Sequence, residues 1–284
     1  MLGFAKRNLK VFFRDKASVF FSLLAVIIII GLYVLFLGDA VSSEIKSLGD
    51  KSRNLMDLWI IAGVVAVTSI TTTMGAFEAM VNDKQKKIIK DFSASPLKRA
   101  DLAGGYLMSS YIIAVIMSIV AFVLGQIYVL AYGGDLFTIS QIIKILGIIL
   151  LSSLSSSAMI FFVVSFFKSQ NAFATASTIV GTLIGFLTGI YIPVGSLPSG
   201  IQMVVKCFPI SHSGALARQV LMTDFMNENL KNAPEAYNEL SEVLGITFKY
   251  GEHTMQPWGH ILVLIGTAIL FYILAIINVS RKSK

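Results

Sequence analysis

The sequence is short of charged residues and of cysteine. Only 14% of its 284 residues are charged and 55% are hydrophobic, whereas soluble domains carry roughly 25% charged residues. The fold is therefore expected to be a bundle whose outer face meets lipid, not a globule around one buried core. The single cysteine, Cys207, excludes an internal disulfide.

Signatures of catalysis and of nucleotide or metal binding are also missing. No G-x-x-x-x-G-K-[ST] segment occurs, so the chain does not hold ATP through a phosphate-binding loop. No H-E-x-x-H segment occurs, and the three histidines lack metal-ligand spacing. We expect no catalytic residue, no metal site and no cofactor in this chain. The net charge of +7 would suggest nucleic acid as the partner of a soluble protein, but its distribution indicates membrane orientation instead.

Long uncharged runs are what the sequence has in abundance. Residues 17–37 contain no charge, and a helix needs about 20 apolar residues to cross the hydrocarbon core of a bilayer. The chain is therefore predicted to be an all-α integral membrane protein with one domain over residues 1–284. Six spans are predicted, at about residues 17–37, 58–81, 102–132, 142–167, 172–192 and 261–279.

Basic residues are concentrated on one side of these spans. With the N-terminus inside, the inner segments hold fifteen of the 23 lysines and arginines but only five of the 16 acidic residues. Short cytoplasmic loops collect Lys and Arg, so both termini are predicted to be cytoplasmic. Trp59 and Trp258 lie where spans begin on the proposed outer side, as expected for interfacial tryptophan.

Two segments outside the spans are partly apolar. Residues 1–16 carry apolar and basic side chains at helical spacing, which predicts an amphipathic helix in the inner interface, close to lipid headgroups. Residues 193–257 form an outer segment whose first part is too apolar for a solvated loop. We predict two short re-entrant helices there, broken near Pro209. In the polar second part, Pro234 and Gly245 bracket a further helix.

The inner loop 82–101 is the first candidate for a functional site. Its first half predicts a short helix with Ile88, Ile89 and Phe92 on one side and lysines around the rest. Pro96 ends this helix, because the residue before proline disfavours the α conformation. Orientation bias alone would explain the lysines but not the apolar residues, which fit a groove on a partner protein.

Small polar residues and glycines form the second candidate site, because ionisable groups are nearly absent from the spans. A proton-driven carrier is therefore poorly supported. Glycines at every fourth position let helix backbones approach closely. Two interpretations stay open, namely packing within the chain, or a dimer seam or pathway lining. The candidate residues are Thr68, Thr72, Thr178, Thr182, Gly181, Gly185 and Gly189.

The segment Ser95-Pro96-Leu97-x-Arg99, after a charged short helix between spans two and three, resembles the coupling-helix loop of type-2 ABC exporter permeases. In the outer segment, Pro193 and Pro209 followed by Arg218 are similar to the same family. The resemblance covers essentially the whole chain, by the order and spacing of these features. One departure is that the family often opens the coupling helix with acidic residues and a Gly-Thr pair, where this sequence has residues 86–89, Lys-Lys-Ile-Ile.

The resemblance implies a permease subunit of the cytoplasmic membrane that hydrolyses nothing itself. Two copies, as a homodimer, would pair with two separate ABC ATPase subunits, which bind ATP and Mg and push on residues 82–101 and 1–16. The coupling residues implied are Asp83, Lys84, Lys87, Ile88, Ile89, Phe92, Ser95 and Pro96. The exported substrate is expected to be amphipathic or hydrophobic, such as a drug, lipid or peptide. The alternatives are an ATP-independent transporter or channel, an intramembrane enzyme, and a membrane scaffold.

Overall fold

The computed structural model describes residues 1–33, 51–88, 92 and 99–281. The prediction of an α-helical fold is confirmed, since the described elements are helices apart from one small hairpin. The helices are α1 Leu2–Arg14, α2 Lys16–Leu32, α3 Ser52–Gln85, α4 Arg99–Ala131, α5 Ile139–Ser165, α6 Gln170–Leu187, α7 Ser199–Cys207, α8 Pro209–Asn229, α9 Pro234–Val243 and α10 Pro257–Arg281. A 3₁₀ turn lies at Val194–Ser196, and β1 Lys249–Tyr250 pairs with β2 His253–Thr254 in antiparallel register.

Four of the described helices, α3, α4, α5 and α10, are long and apolar enough to cross a bilayer. A fifth crossing results if α1 and α2, which meet at a bend of 77°, are counted as one broken span. The end of the predicted span 17–37 lies outside the described residues. The helices support a multi-pass membrane protein, whereas six crossings remain a prediction.

Helix α3 is the centre of the bundle. It packs against α2, α4, α5, α6 and α8, and most of its length is buried. Its hydroxyl side chains do not need water, because Thr68 and Thr72 donate hydrogen bonds to carbonyl oxygens one turn earlier in the same helix. Ser69 also contacts Ser156 of α5, with 3.1 Å between their hydroxyl oxygens. Such small polar residues let neighbouring helices approach closely.

The bend between α1 and α2 is fixed by Asp15, which caps α2. Its carboxylate accepts hydrogen bonds from the backbone N–H groups of Ala17 and Ser18 and from the Ser18 hydroxyl. The hydrogen bonds from Ser18 hold the pKa of Asp15 below its ordinary value. Helix α1 corresponds to the predicted amphipathic segment 1–16 and packs on α4. Its buried residues are Phe4, Ala5, Asn8 and Phe12, and its exposed bases include Lys6, Lys10 and Arg14.

The outer segment has the predicted break, but its second helix is longer than predicted. Helix α7 ends at Cys207, and α8 begins at Pro209, where the missing N–H of proline costs no helical hydrogen bond. The prediction of two short helices needs correction for α8, which runs for 21 residues. Its buried face continues through Leu221 and Met226, so it packs on α3, α5 and α10. How deeply this segment enters the bilayer stays a prediction.

Candidate functional site

Three helices meet at Asp83, in the last turn of α3. Its side chain is buried and accepts two hydrogen bonds from Arg7 of α1, with N–O distances of 2.6 and 3.1 Å. The hydroxyl of Tyr106, in α4, donates a third hydrogen bond of 2.6 Å to the same carboxylate. The hydrogen bond to Asp83 raises the pKa of Arg7 above its ordinary value. This paired and fully bonded arrangement joins α1, α3 and α4.

Phe92 connects the inner loop to α1. Its ring meets the ring of Phe4 edge-on, with centroids 5.0 Å apart, and the guanidinium of Arg7 lies 5.5 Å from its centroid. Phe4 in turn contacts Tyr106, at 4.8 Å between centroids. Phe92 therefore packs on the protein's own α1, and its predicted role in ATPase coupling stays a prediction.

Of the other predicted coupling residues, Asp83 and Lys84 lie in the last turn of α3, and Lys87 and Ile88 follow its end. Residues 82–85 were predicted to begin the inner loop and its short helix. In the structure they belong to α3, which continues to Gln85. Lys84 donates a hydrogen bond of 3.3 Å to the carbonyl of Val164. Lys87 is exposed and has a φ of +60°, which turns the chain sharply away from the α3 axis, and Ile88 is half-buried. Ile89, Ser95 and Pro96 lie outside the described residues.

A groove of about 520 Å³ lies between α2, α3 and α6, within the size range of ligand-binding sites. Its wall combines apolar side chains with hydroxyls, an amide and one carboxylate. Gln170 donates a hydrogen bond of 2.7 Å to Glu78 across one end of the groove. The lining residues are Ala17, Ser18, Phe21, Ser22, Thr71, Met74, Gly75, Glu78, Gln170, Phe173, Ala174, Ser177, Val180 and Gly181.

The predicted pathway residues lie on different faces around this groove. Thr68 and Thr72 are buried inside the bundle, while their neighbour Thr71 lines the groove. Thr178 and Thr182 are on the exposed face of α6, with their hydroxyls bonded to that helix's own carbonyls. Distinguishing Thr71 from Thr72 required knowing how α3 is rotated against its neighbours, which the sequence pattern of consecutive threonines does not give.

The three regularly spaced glycines of α6 also differ from one another. Gly181 lines the groove, and a Cβ placed there would meet no atom within 4 Å. A Cβ on Gly185 would come within 2.1 Å of the Tyr191 ring, and Gly189 has a φ of +65° at the end of the helix. Ile190 N–H closes this end by donating to the Gly185 carbonyl at 2.9 Å. Gly185 and Gly189 therefore have a packing role within the chain.

Arg218, in α8, is a fully buried cation. Its Nη2 donates hydrogen bonds to the carbonyls of Thr188 and Gly189, at the C-terminal end of α6. The guanidinium lies 5.2 Å from the ring of Trp59 of α3. The last carbonyls of a helix have no partner within the helix and carry partial negative charge, so they and the aromatic face compensate the charge of Arg218. This contact joins α3, α6 and α8 at the outer end of the bundle.

Two features of the outer half were not predicted from the sequence. Asp57 is buried in α3 and accepts a 2.8 Å hydrogen bond from Tyr128 of α4. Its burial was not predicted, because the second span was predicted to begin at residue 58. His212 of α8 and His260 of α10 are buried with their Nδ1 atoms 2.8 Å apart. Their separation of 48 residues gave no sequence pattern to find.

Comparison with known proteins adds one finding. The sequence model of a family described as ABC-2 family transporter protein matches residues 39–277. This range includes α3 to α9 and most of α10, with the central helix, the inner loop, the groove wall on α6 and the outer segment. No curated protein matches the chain. The match confirms the resemblance that the inner loop and the outer segment indicated.

Proposed function

Because the chain belongs to the ABC-2 family of transporter proteins, we propose that it is the permease subunit of an ATP-driven exporter. Membership makes the chain a membrane subunit of an ABC transporter and implies an ABC ATPase as its partner. The proposal adds that two copies assemble with two ATPase subunits in the cell membrane, with cytoplasmic termini. ATP and Mg are bound by the ATPases, and this chain contributes no catalytic residue.

The observation that carries the proposal is the contact of Asp83 with Arg7 and Tyr106, which links α3 to α1 and α4 and which we call the inner joint. A partner that docks on the exposed side of the inner loop, at Lys87 and Ile88, pushes on a segment that is packed through Phe92 onto α1. The bidentate contact of Arg7 with Asp83 ties α1 to α3. Packed cores switch between arrangements instead of deforming continuously, so movement of the loop displaces α1, α3 and α4 together.

The groove between α2, α3 and α6 is the proposed transport path. It has a wall on α3, the helix whose inner end forms the joint, so displacement of that end changes its width. Its mixture of aromatic, aliphatic and hydroxyl groups suits an amphipathic substrate. A second copy is proposed to pack on the exposed face of α6, at Thr178 and Thr182, and so to close the groove from the lipid.

Co-purification tests this function. The tagged chain is expected to capture an ATPase with a phosphate-binding loop, and native mass spectrometry should give two copies of each subunit. Ile88→Ser should weaken the capture because it removes an apolar contact from the loop, while Leu136→Ser, at an exposed position beyond α4, should leave it unchanged. The proposal is wrong if no such ATPase binds the wild-type chain.

A further inference from the structure

One acidic side chain lies in a groove that otherwise offers neutral groups. Among the fourteen described residues that line the groove between α2, α3 and α6, Glu78 is the only one that is ionisable. Its carboxylate accepts a hydrogen bond from the uncharged amide of Gln170. The ion pairs in the described part of the chain leave Glu78 without a basic partner. Among the described residues, no basic side chain lines the groove or forms an ion pair with this carboxylate.

The rest of the groove complements this charge. The aromatic rings of Phe21 and Phe173 line the same space, and the face of an aromatic ring attracts cations. Thr71 and Ser177 contribute hydroxyls, while Val180 contributes an apolar surface. An anionic ligand would meet only the like charge of Glu78, whereas a cation would meet the carboxylate and the aromatic rings.

With the cytoplasmic termini that we propose, the groove also has a direction relative to the membrane. Glu78 lies seven residues before Gln85, the last residue of α3, which places it about 10 Å from the inner end of that helix. Thr71 lies another two turns deeper. A molecule with its head at Glu78 and its tail toward Thr71 would be oriented like a lipid of the inner leaflet.

From these observations we infer that the groove binds cationic amphiphiles, with the positively charged head at Glu78 and the apolar tail along the deeper wall at Val180. The inference deepens the proposed function and rests on it, because it names the substrate class of the proposed path. Glu78 acts here as the residue that selects the charge of the substrate, and the aromatic and aliphatic wall selects its apolar part.

Equilibrium binding to the full chain in nanodiscs of neutral lipid tests the inference. The probes are a fluorescent amphiphile with a trimethylammonium head and the same molecule with an uncharged tert-butyl head of equal shape. The wild type is expected to bind the ammonium probe about tenfold more tightly. Glu78→Gln keeps the size and the hydrogen bond to Gln170 but removes the charge, so it should abolish this preference. Thr71→Val, the matched control, should affect both probes alike.

Equal binding of the two probes, binding of neither, or an unchanged preference in Glu78→Gln would overturn the inference. If Glu78→Gln does not fold, Gln170→Lys replaces it, since a lysine there pairs with Glu78 and must remove the preference. Binding is measured without ATP or ATPase. A complex that binds the ammonium probe selectively but never transports with ATP would therefore count against the proposed function and not against the role of Glu78.

Discussion

At the scale of single residues, Asp83 and Arg7 form the contact on which the inner joint depends. Replacing either residue alone leaves the other charge without its partner in a partly buried site, and Tyr106 without a good acceptor when Asp83 is lost. The Arg7 side chain is about one-third exposed, so we expect each single variant to lose only about 1–2 kcal/mol of stability.

The sharper consequence of this pair concerns coupling. Arg7→Asp and Asp83→Arg should each lower transport per ATP hydrolysed severalfold, while the ATPase still co-purifies. The double variant with both changes restores opposite charges and should recover most of the coupling. The measurement is the ratio of substrate flux to ATP hydrolysis in proteoliposomes. A double variant that is no better than the two single ones would show that the pair acts only by local stability.

Arg218 allows a second prediction at this scale. Arg218→Met keeps the apolar stem but leaves the carbonyls of Thr188 and Gly189 without donors and removes the cation above Trp59. We expect a loss of about 2–4 kcal/mol of stability, visible as a lower melting temperature of the purified chain in detergent. The melting temperature of Arg218→Lys should lie between those of the wild type and Arg218→Met, because lysine keeps the charge but not the planar group of donors. An unchanged melting temperature in Arg218→Met would contradict a stabilising role of the Arg218 contact between α3, α6 and α8.

Single residues also mark the limit of prediction from sequence. Asp83 could be named because it lies in a charged loop that resembles a known one. Its partners could not, since Arg7 lies 76 residues away in the chain and Tyr106 lies inside a predicted span. Asp57 was missed for a related reason, because a carboxylate at a span boundary looks exposed until the neighbouring helices are in place.

At the scale of elements, the contacts of the inner loop divide it into two sides. Phe92 faces α1, whereas Ile88 is only half-buried and follows the exposed Lys87. Substitutions of these two residues should therefore have different effects. Phe92→Ala should keep the ATPase bound but lower transport per ATP, because the loop loses its packing on α1. Ile88→Ser should lower binding of the ATPase itself. Loss of ATPase capture in Phe92→Ala would place Phe92 on the partner's side after all.

Helices were predicted well where a local pattern decides them. Pro209 separates α7 from α8 and the pair Pro234 and Gly245 encloses α9, since proline and glycine act through their own backbone geometry. The length of α8 was not predicted, because its continuation past Leu221 depends on burial against α3, α5 and α10. The left-handed turn at Lys87, two residues after the end of α3, was also not predicted, because a left-handed lysine has no sequence signature.

At the scale of the whole molecule, the exposed face of α6 is the proposed contact between two copies. In a Cys207→Ser background, which removes the native thiol, Thr182→Cys is expected to form a disulfide between copies under mild oxidation, seen as a dimer on a non-reducing gel. Ile269→Cys, exposed on α10, is the matched control and should stay monomeric. Equal cross-linking at the two positions, or none at Thr182→Cys, would contradict the seam.

The central claim is that this chain moves its substrate with energy from ATP hydrolysed by a separate ATPase chain. Transport in proteoliposomes tests this claim most directly. The chain and its ATPase are reconstituted together, and flux of the trimethylammonium amphiphile is followed after addition of ATP and Mg. We predict that the amphiphile accumulates against its concentration gradient. This accumulation should disappear when the lysine in the phosphate-binding loop of the ATPase is replaced. Uphill accumulation by this chain alone, driven by an ion gradient without ATP, would contradict the account.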